Sequence, residues 1–194
     1  KAIKGNRDRL TIVSKANADL LTPEKAEETV AASLKRLGTD YIDIYYIHWP
    51  TPGISVARNM EALEKLREKG MIKYIGVSNF TVRHMDIART EGVIDVFQPP
   101  YSLLWRNIEK ELLAYCIQNN IGVMTYSSLA MGLLTGKYNK DSTFEDGDIR
   151  KDMVALFMSG IFEKALAAVE KLKRVAGKYG VTVAQAAINW VFSQ

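Results

Sequence analysis

Five apolar segments of this sequence each end in a side chain that can take part in chemistry. In chain order these side chains are Lys15, His48, the pair Ser78 and Asn79, Gln98, and Tyr126. Each segment reads as a β-strand, and segments of helical character separate them. In a parallel β/α barrel the C-terminal ends of the strands meet at one face, where the active site is built. The spacing therefore predicts an enzyme whose site collects these residues.

His48 and Lys15 are the members of this set that are best suited to proton chemistry. His48 follows the strand-like run Ile42–Ile47 and precedes Pro50, which ends the strand. A neutral imidazole there can donate a hydrogen bond to a substrate carbonyl, or it can simply bond a neighbouring backbone group. Lys15, at the mouth of an apolar strand, is expected to be partly desolvated, so that it lowers the pKa of a nearby acid or forms a Schiff base. The alternative is a lysine that snorkels at the rim.

Ser78, Asn79 and Gln98 carry groups that recognise an amide. Gly76 permits close approach of a ligand, and the three polar side chains offer hydrogen-bond donors and acceptors. The alternative is ordinary turn and loop bonding. Tyr126 can stack on a flat ring, and the backbone amides and hydroxyls that follow it can bind a phosphate. Otherwise Tyr126 is an aromatic plug over the end of the barrel.

The elements that must position these residues follow a βα rhythm. The strand-like runs begin near Leu10, Asp43, Ile72, Asp95 and Ile121, at spacings of 33, 29, 23 and 26 residues. Such spacings match βα units, and the nearly continuous apolar composition predicts strands that are buried on both faces. The helices are predicted to have N-caps at Thr22, Ser55, Thr81, Asn107 and Thr182. The segment Asn139–Gly160 is predicted to be a long loop, either a lid or a surface excursion.

Composition excludes several classes of protein. The 194 residues are 47% hydrophobic and carry 26 basic and 22 acidic side chains, a net charge of +4 that suits an anionic ligand such as a nucleotide but not nucleic acid. No run approaches the roughly 18 apolar residues of a membrane helix. Cys116 is the single cysteine, which favours a reducing, cytoplasmic setting. With only His48 and His84 available, a histidine metal site is not expected, and GxGxxG and GxxxxGK[ST] motifs are absent.

Taken together, the motifs resemble those of the aldo-keto reductases. The matching runs are Ile12 to Lys15 (IVSK), Asp40 to Pro50 (DYIDIYYIHWP), Tyr74 to Phe80 (YIGVSNF), Phe97 to Gln98 (FQ), Thr125 to Leu129 (TYSSL) and Gly132 to Lys137 (GLLTGK). The resemblance implies an α/β fold, a TIM-type (β/α)8 barrel that binds NADP(H) without a Rossmann domain. It also implies reduction of an aldehyde or ketone to an alcohol by NADPH.

The resemblance assigns a role to each site residue. Lys15 corresponds to the lysine that lowers the pKa of a catalytic tyrosine, and His48 to the histidine that orients the substrate carbonyl. The residues implied to hold the nicotinamide carboxamide are Ser78, Asn79 and Gln98, with Tyr126 stacked on the ring. The residues implied to lie near the pyrophosphate are Ser127, Leu129, Gly132 and Lys137. Trp49 and Trp105 are assigned to the substrate pocket, although Trp105 could simply pack.

The sequence also departs from the family pattern. The family's catalytic aspartate and tyrosine precede the lysine, whereas Tyr41, Tyr45 and Tyr46 follow Lys15 and belong to the strand of His48. Residues 1–194 are therefore expected to form a single partial domain covering strands three to seven of eight, incomplete at both ends, within a longer protein. Two alternatives to the reductase stay open: a nicotinamide-binding regulatory subunit of a potassium channel, and an inactive fragment. The sequence leaves the substrate and the oligomeric state open.

Overall fold

A computed structural model describes residues 5–194. The chain divides into two compact units. The first unit comprises the described part of Lys1–Pro99 together with Ile108–Met124, and the second unit comprises Pro100–Asn107 with Thr125–Gln194. No helix among residues 5–194 is both long and apolar enough to cross a membrane.

The first unit is built on a five-stranded parallel sheet. The strands are β1 (Val13–Ala16), β2 (Ile42–Ile47), β3 (Ile72–Ser78), β4 (Val96–Gln98) and β5 (Gly122–Val123), and they pair in chain order. The helices that connect them are α1 (Ala26–Leu37), α2 (Val56–Glu68), α3 (Val82–Ala88) and α4 (Leu112–Gln118). Parallel neighbours joined by helices are the arrangement that the βα rhythm of the sequence predicts.

The strands are not all buried on both faces, and that prediction was wrong for β1, β3 and β5. Every residue of β2 is buried, whereas Lys15 is exposed in β1, Lys73 and Tyr74 are exposed in β3, and both residues of β5 are exposed. β1 and β5 are the outer strands of the described sheet, so each has a paired neighbour on one side only. β5 is also shorter than the predicted run Ile121–Thr125.

Two of the predicted helix caps are confirmed in the first unit. The Ser55 hydroxyl accepts a hydrogen bond from the backbone N–H of Arg58 at the start of α2. Thr81 forms a capping box at the start of α3, in which its hydroxyl accepts from the backbone N–H of His84 and the His84 ring accepts from the Thr81 N–H. Such reciprocal bonds satisfy donors that the first helical turn leaves unpaired, which is why these residue types begin helices.

Two predicted caps were wrong. Helix α1 begins at Ala26, and Thr22 instead accepts backbone N–H bonds from Lys25 and Ala26 with its carbonyl oxygen. Asn107 begins a short 3-10 helix, Asn107–Lys110, and the α-helix that follows begins only at Leu112. In both places a tight turn precedes the helix, so the sequence signal marked the turn.

The second unit is helical. Its α-helices are α5 (Ile149–Asp152), α6 (Phe162–Lys178) and α7 (Val183–Phe192), and Thr182 caps α7 in a second capping box, as predicted. The segment Asn139–Gly160, predicted to be a long loop, contains two short helices, α5 and the 3-10 helix Ala155–Phe157. Tyr138, Phe144 and Phe157 meet with ring centroids 5.1–5.6 Å apart, which anchors part of this segment.

A charged cluster fixes the start of β2. The Asp43 carboxylate accepts a hydrogen bond from the Ile12 N–H at 2.9 Å and pairs with Arg7 at 2.8 Å and Lys73 at 3.3 Å. Burial works to raise the pKa of Asp43, but the Ile12 hydrogen bond and the two cations outweigh it and hold that pKa below its usual value. Arg7 and Lys73 also lie 3.7 and 4.0 Å from the centroid of the Tyr41 ring.

Replacing Asp43 with asparagine is expected to lower the free energy of unfolding at pH 7 by about 2 kcal/mol, because the two cations lose their anionic partner. A lowered folded-state pKa means that the carboxylate stabilises the fold above its unfolded pKa of about 3.9, and that this stabilisation is lost as pH falls through the folded pKa. The free energies of unfolding of the wild-type and D43N proteins should therefore become equal in acid. Urea titrations at pH 7 and below pH 3 measure the difference, with the exposed Asp141→Asn as the matched control. A difference that persists in acid contradicts the assignment.

Candidate active site

The register of the sheet places the chemically capable residues of the first unit on one face. Lys15 pairs with Tyr46 across β1 and β2, Tyr46 pairs with Gly76, and Ser78 pairs with Gln98. Residues paired in a parallel ladder point to the same side, as do residues two apart along one strand. His48 lies two residues beyond Tyr46, so the C-terminal ends of β1 to β4 bring Lys15, His48, Ser78 and Gln98 to the same edge.

Lys15 contacts Gln98 directly. The Lys15 Nζ donates a hydrogen bond of 2.7 Å to Gln98 Oε1. The lysine itself is exposed, which agrees with the alternative of a lysine at the rim and not with partial desolvation. The reason is the position of β1 at the edge of the described sheet, where a neighbouring strand covers only one side of the residue. The ammonium group is nevertheless held in place, because Gln98 is buried.

His48 is anchored through its backbone to both neighbouring strands. Its N–H donates to the carbonyl oxygen of Ala16 at 2.8 Å, and its carbonyl oxygen accepts from Asn79 Nδ2 at 3.0 Å. Partial burial and, after it, the positive charge of Lys15 lower the pKa of His48. The imidazole is therefore neutral at pH 7 and keeps one N–H donor and one acceptor.

Ser78 and Asn79 form a hydrogen-bonded corner at the end of β3. The Ser78 hydroxyl, which is almost fully buried, donates to the backbone carbonyl of Gln98 at 2.8 Å and accepts from Asn79 Nδ2 at 3.0 Å. Asn79 has a φ of 61°, a left-handed conformation that asparagine tolerates better than most residues. The corner thus links β2, β3 and β4 through side chains that sequence reasoning assigned to ligand binding.

Tyr46 and Gly76 are paired on the same face of the sheet, and the Tyr46 ring lies against Gly76. Sequence reasoning missed this contact. Tyr46 is fully buried, and a Cβ placed on Gly76 would stand 2.4 Å from two atoms of the tyrosine ring. Burial raises the pKa of Tyr46 to about 12, and its hydroxyl contacts the Met124 sulfur at 3.8 Å. The sequence contained a signal of this contact, because a single glycine inside a strand often indicates close approach by another group.

Trp49, assigned to the substrate pocket, is about half exposed next to His48. Its exposed fraction is 49%, and its ring centroid lies 6.2 Å from that of His48. An exposed indole beside a neutral imidazole offers an apolar surface to whatever binds at His48. The substrate-pocket role of Trp49 stays a prediction.

The remaining predicted site residues belong to the second unit. Tyr126 is half-buried, its backbone carbonyl accepts from the Tyr101 N–H, and burial raises the pKa of its phenol. Trp105 is half-buried and pairs with Ser102 through two backbone hydrogen bonds of 3.0 and 3.2 Å. Both residues are held by local backbone pairing, and their binding roles stay predictions.

The segment that follows Tyr126 has an unusual backbone. Ser127, Ala130, Met131 and Gly132 have φ values of 54°, 50°, 55° and 92°, and three of these four residues are not glycine. Left-handed conformations of non-glycine residues cost energy and concentrate at ligand-binding loops, where successive backbone N–H groups can turn towards an anion. Leu129 lies within this segment and is half-buried, whereas Lys137 is exposed with its Nζ 4.9 Å from the Tyr138 ring centroid.

Comparison with known proteins gives consistent matches. The model of the aldo/keto reductase family matches residues 1–194. The aldo-keto reductase YhdN of Bacillus subtilis is 38% identical over all of this chain and 62% of its own length. The NADH-specific methylglyoxal reductase of Escherichia coli is 37% identical over 90% of this chain and 53% of its own length. A solved aldo/keto reductase from Klebsiella pneumoniae in complex with NADP and acetate superposes with a TM-score of 0.76 at 31% identity, covering 98% of this chain and 58% of that one.

These matches confirm the predicted fold class, a TIM-type α/β barrel, and the first unit contributes five parallel strands of that fold. The chain spans a little more than half the length of the relatives it matches. The prediction that residues 1–194 form a single partial domain stays a prediction.

Proposed function

The chain belongs to the aldo/keto reductase family, and from that premise we propose that it carries the carbonyl- and nicotinamide-binding part of an NADP(H)-dependent reductase of aldehydes or ketones. One observation carries the proposal. Lys15, His48, Ser78 and Gln98 come from four different strands or strand ends and lie at the same edge of the sheet. That edge is where enzymes with this fold hold their active sites.

The polar groups at this edge fit the amide of a nicotinamide ring. Ser78 and Gln98 are buried polar residues on one face, and within residues 5–194 the Gln98 Nε2 donates to no partner. An unpaired donor on a mostly buried side chain can bind an acceptor such as an amide oxygen. On the same face of the sheet, the Tyr46 ring packs directly against Gly76.

His48 is proposed to position the carbonyl oxygen of the substrate. Its lowered pKa keeps the ring neutral, so one ring N–H is available to hold a carbonyl oxygen without first releasing a proton. Lys15 supplies a positive charge close to the same site, and that charge lowers the pKa of any phenol or acid placed beside it. A bound NADPH supplies the hydride for the reduction. The resemblance places the tyrosine that donates the proton outside the matching segments of this sequence.

The second unit, taken by itself, also carries groups that suit a dinucleotide. The left-handed backbone conformations of Ser127, Ala130, Met131 and Gly132 and the exposed ammonium of Lys137 suit a pyrophosphate. The half-buried ring of Tyr126 suits stacking on nicotinamide. NADP(H) is proposed over NADH because the Klebsiella relative was solved with NADP. The Escherichia coli relative is NADH-specific, so a direct comparison of the two dinucleotides belongs to the test.

Replacing Gln98 with leucine is expected to weaken NADPH binding by about tenfold, because one or two hydrogen bonds to the carboxamide are lost. The Kd is measured through the fluorescence of the reduced nicotinamide. Binding of 2′-phospho-ADP-ribose, which lacks the nicotinamide, is the control and should not change. Equal weakening of both ligands would mean that the substitution disturbs the fold and not the amide site.

Consumption of NADPH with a model aldehyde distinguishes the proposed reductase from the two alternatives. The assay compares the 194-residue chain with a longer protein that carries it. Turnover in the longer form alone supports the inactive-fragment account of this chain. Tight binding of NADPH without turnover of any carbonyl in either form favours a regulatory, nicotinamide-sensing role. A small carbonyl compound as partner and a cytoplasmic location stay predictions.

A further inference from the structure

Gln98 is held at two points, one on its side chain and one on its backbone. Its Oε1 accepts the 2.7 Å hydrogen bond from Lys15, and its backbone carbonyl accepts the 2.8 Å hydrogen bond from Ser78. Gln98 is only 8% exposed, so water does not compete freely for these groups. The resemblance to the family assigns Lys15 to the pKa of a tyrosine and gives it no part in the geometry of Gln98.

The contact with Lys15 determines which end of the Gln98 amide faces the site. An ammonium group can only donate hydrogen bonds. It therefore bonds to the amide oxygen, which is an acceptor, and not to the amide nitrogen, which is a donor. Turning the amide by half a rotation would place its NH2 group against the ammonium, with donors facing donors. The hydrogen bond seen here is also charge-assisted, which makes it stronger than a bond between neutral groups.

We propose that Lys15 is a positioning residue for Gln98: it fixes the amide so that Nε2 faces the ligand, and the site therefore selects a carbonyl oxygen at this position. This inference rests on the proposed function, in which the ligand group is the nicotinamide carboxamide. The Nε2 group has no partner among residues 5–194, so an N–H donor is available to that oxygen.

Two cofactor analogues separate the oxygen of the carboxamide from its NH2 group. The 3-acetylpyridine analogue of NADP⁺ keeps the carbonyl oxygen and replaces the NH2 group by methyl. The thionicotinamide analogue keeps the NH2 group and replaces the oxygen by sulfur, a weak acceptor. Calorimetric titration of the wild type should give an acetylpyridine Kd within about threefold of that of NADP⁺ and a thionicotinamide Kd about tenfold weaker, since one hydrogen bond is lost.

Lys15→Met should remove this discrimination, because the freed amide can then present either end to the ligand. Lys15→Arg keeps a cationic donor and should retain the discrimination, which separates a positioning role from a general effect of substitution. Stronger binding of the thionicotinamide analogue by the wild type, or unchanged discrimination in K15M, would overturn the proposal.

A measurement on the ligand-free protein tests the positioning role of Lys15 independently of the proposed function. The 13C chemical shift of the Gln98 side-chain carbonyl reports whether its oxygen accepts from a cation. The shift should move in K15M and stay close to wild type in K15R. A shift that does not respond to K15M overturns the positioning role. Absence of NADP⁺ binding combined with the expected shifts overturns the proposed function and leaves the positioning of Gln98 supported.

Discussion

Replacing His48 with alanine is expected to lower the turnover of a model aldehyde by about 100- to 1,000-fold, because the donor that holds the carbonyl oxygen is lost. The Kd for NADPH should change by less than about twofold, since the groups proposed to hold the carboxamide are Ser78, Asn79 and Gln98. Turnover is measured in the longer protein that carries this sequence, and the Kd is measured by nicotinamide fluorescence.

His84→Ala is the matched control for this experiment, because His84 is the only other histidine of the chain. Its ring serves the capping box of α3, so its loss should cost helix stability and leave turnover nearly unchanged. Unchanged turnover in H48A would remove His48 from the reaction. An equal loss of turnover in both variants would point to folding as the cause.

Gly76→Ala is expected to lower the free energy of unfolding by about 3 kcal/mol, the upper range for overpacking of a tight interior. A Cβ at Gly76 would stand 2.4 Å from the Tyr46 ring, which is fully buried. Urea unfolding followed by circular dichroism measures the change. Because Ser78 lies two residues further along β3, NADPH affinity is expected to fall in the same variant.

Gly177→Ala is the matched control, since a Cβ at Gly177 meets no atom within 4 Å and the residue lies in helix α6. That substitution should be neutral or stabilising by about 0.5–1 kcal/mol, as is usual for glycine to alanine inside a helix. A double-mutant cycle with Tyr46→Leu completes the test, because removing the ring should reduce the cost of the added methyl group. A cost that is independent of Tyr46 contradicts the proposed clash.

Prediction from sequence succeeded where neighbouring residues carry the information. Ser55, Thr81 and Thr182 cap helices as expected, because a capping hydroxyl bonds to a backbone N–H only three residues away. It failed at Thr22 and Asn107, where the same residue types begin a turn that precedes the helix. Local bonding cannot distinguish these two outcomes, since both satisfy the same backbone groups.

Exposure could not be predicted so directly. An apolar run such as that of β1 predicts burial on both faces, but burial depends on which distant segments pack around the strand. β1 has a paired neighbour on only one side in the described sheet, and Lys15 is exposed there. Residue type indicates the tendency to be buried, whereas the helices and strands that pack around a position decide its exposure. Tyr74 is 51% exposed in β3, although β3 has paired neighbours on both sides.

By itself, the sequence determined the fold class and the identity of the strand-end residues, because the spacing of apolar runs and the polar residues after them are visible along the chain. Only the tertiary structure decided how those residues meet. Lys15 and Gln98 are 83 positions apart, yet the Lys15 Nζ bonds to Gln98 Oε1, and Tyr46 leaves room at residue 76 for a glycine alone. Contacts of this kind depend on strand register and side-chain packing, which arise only when distant segments pair.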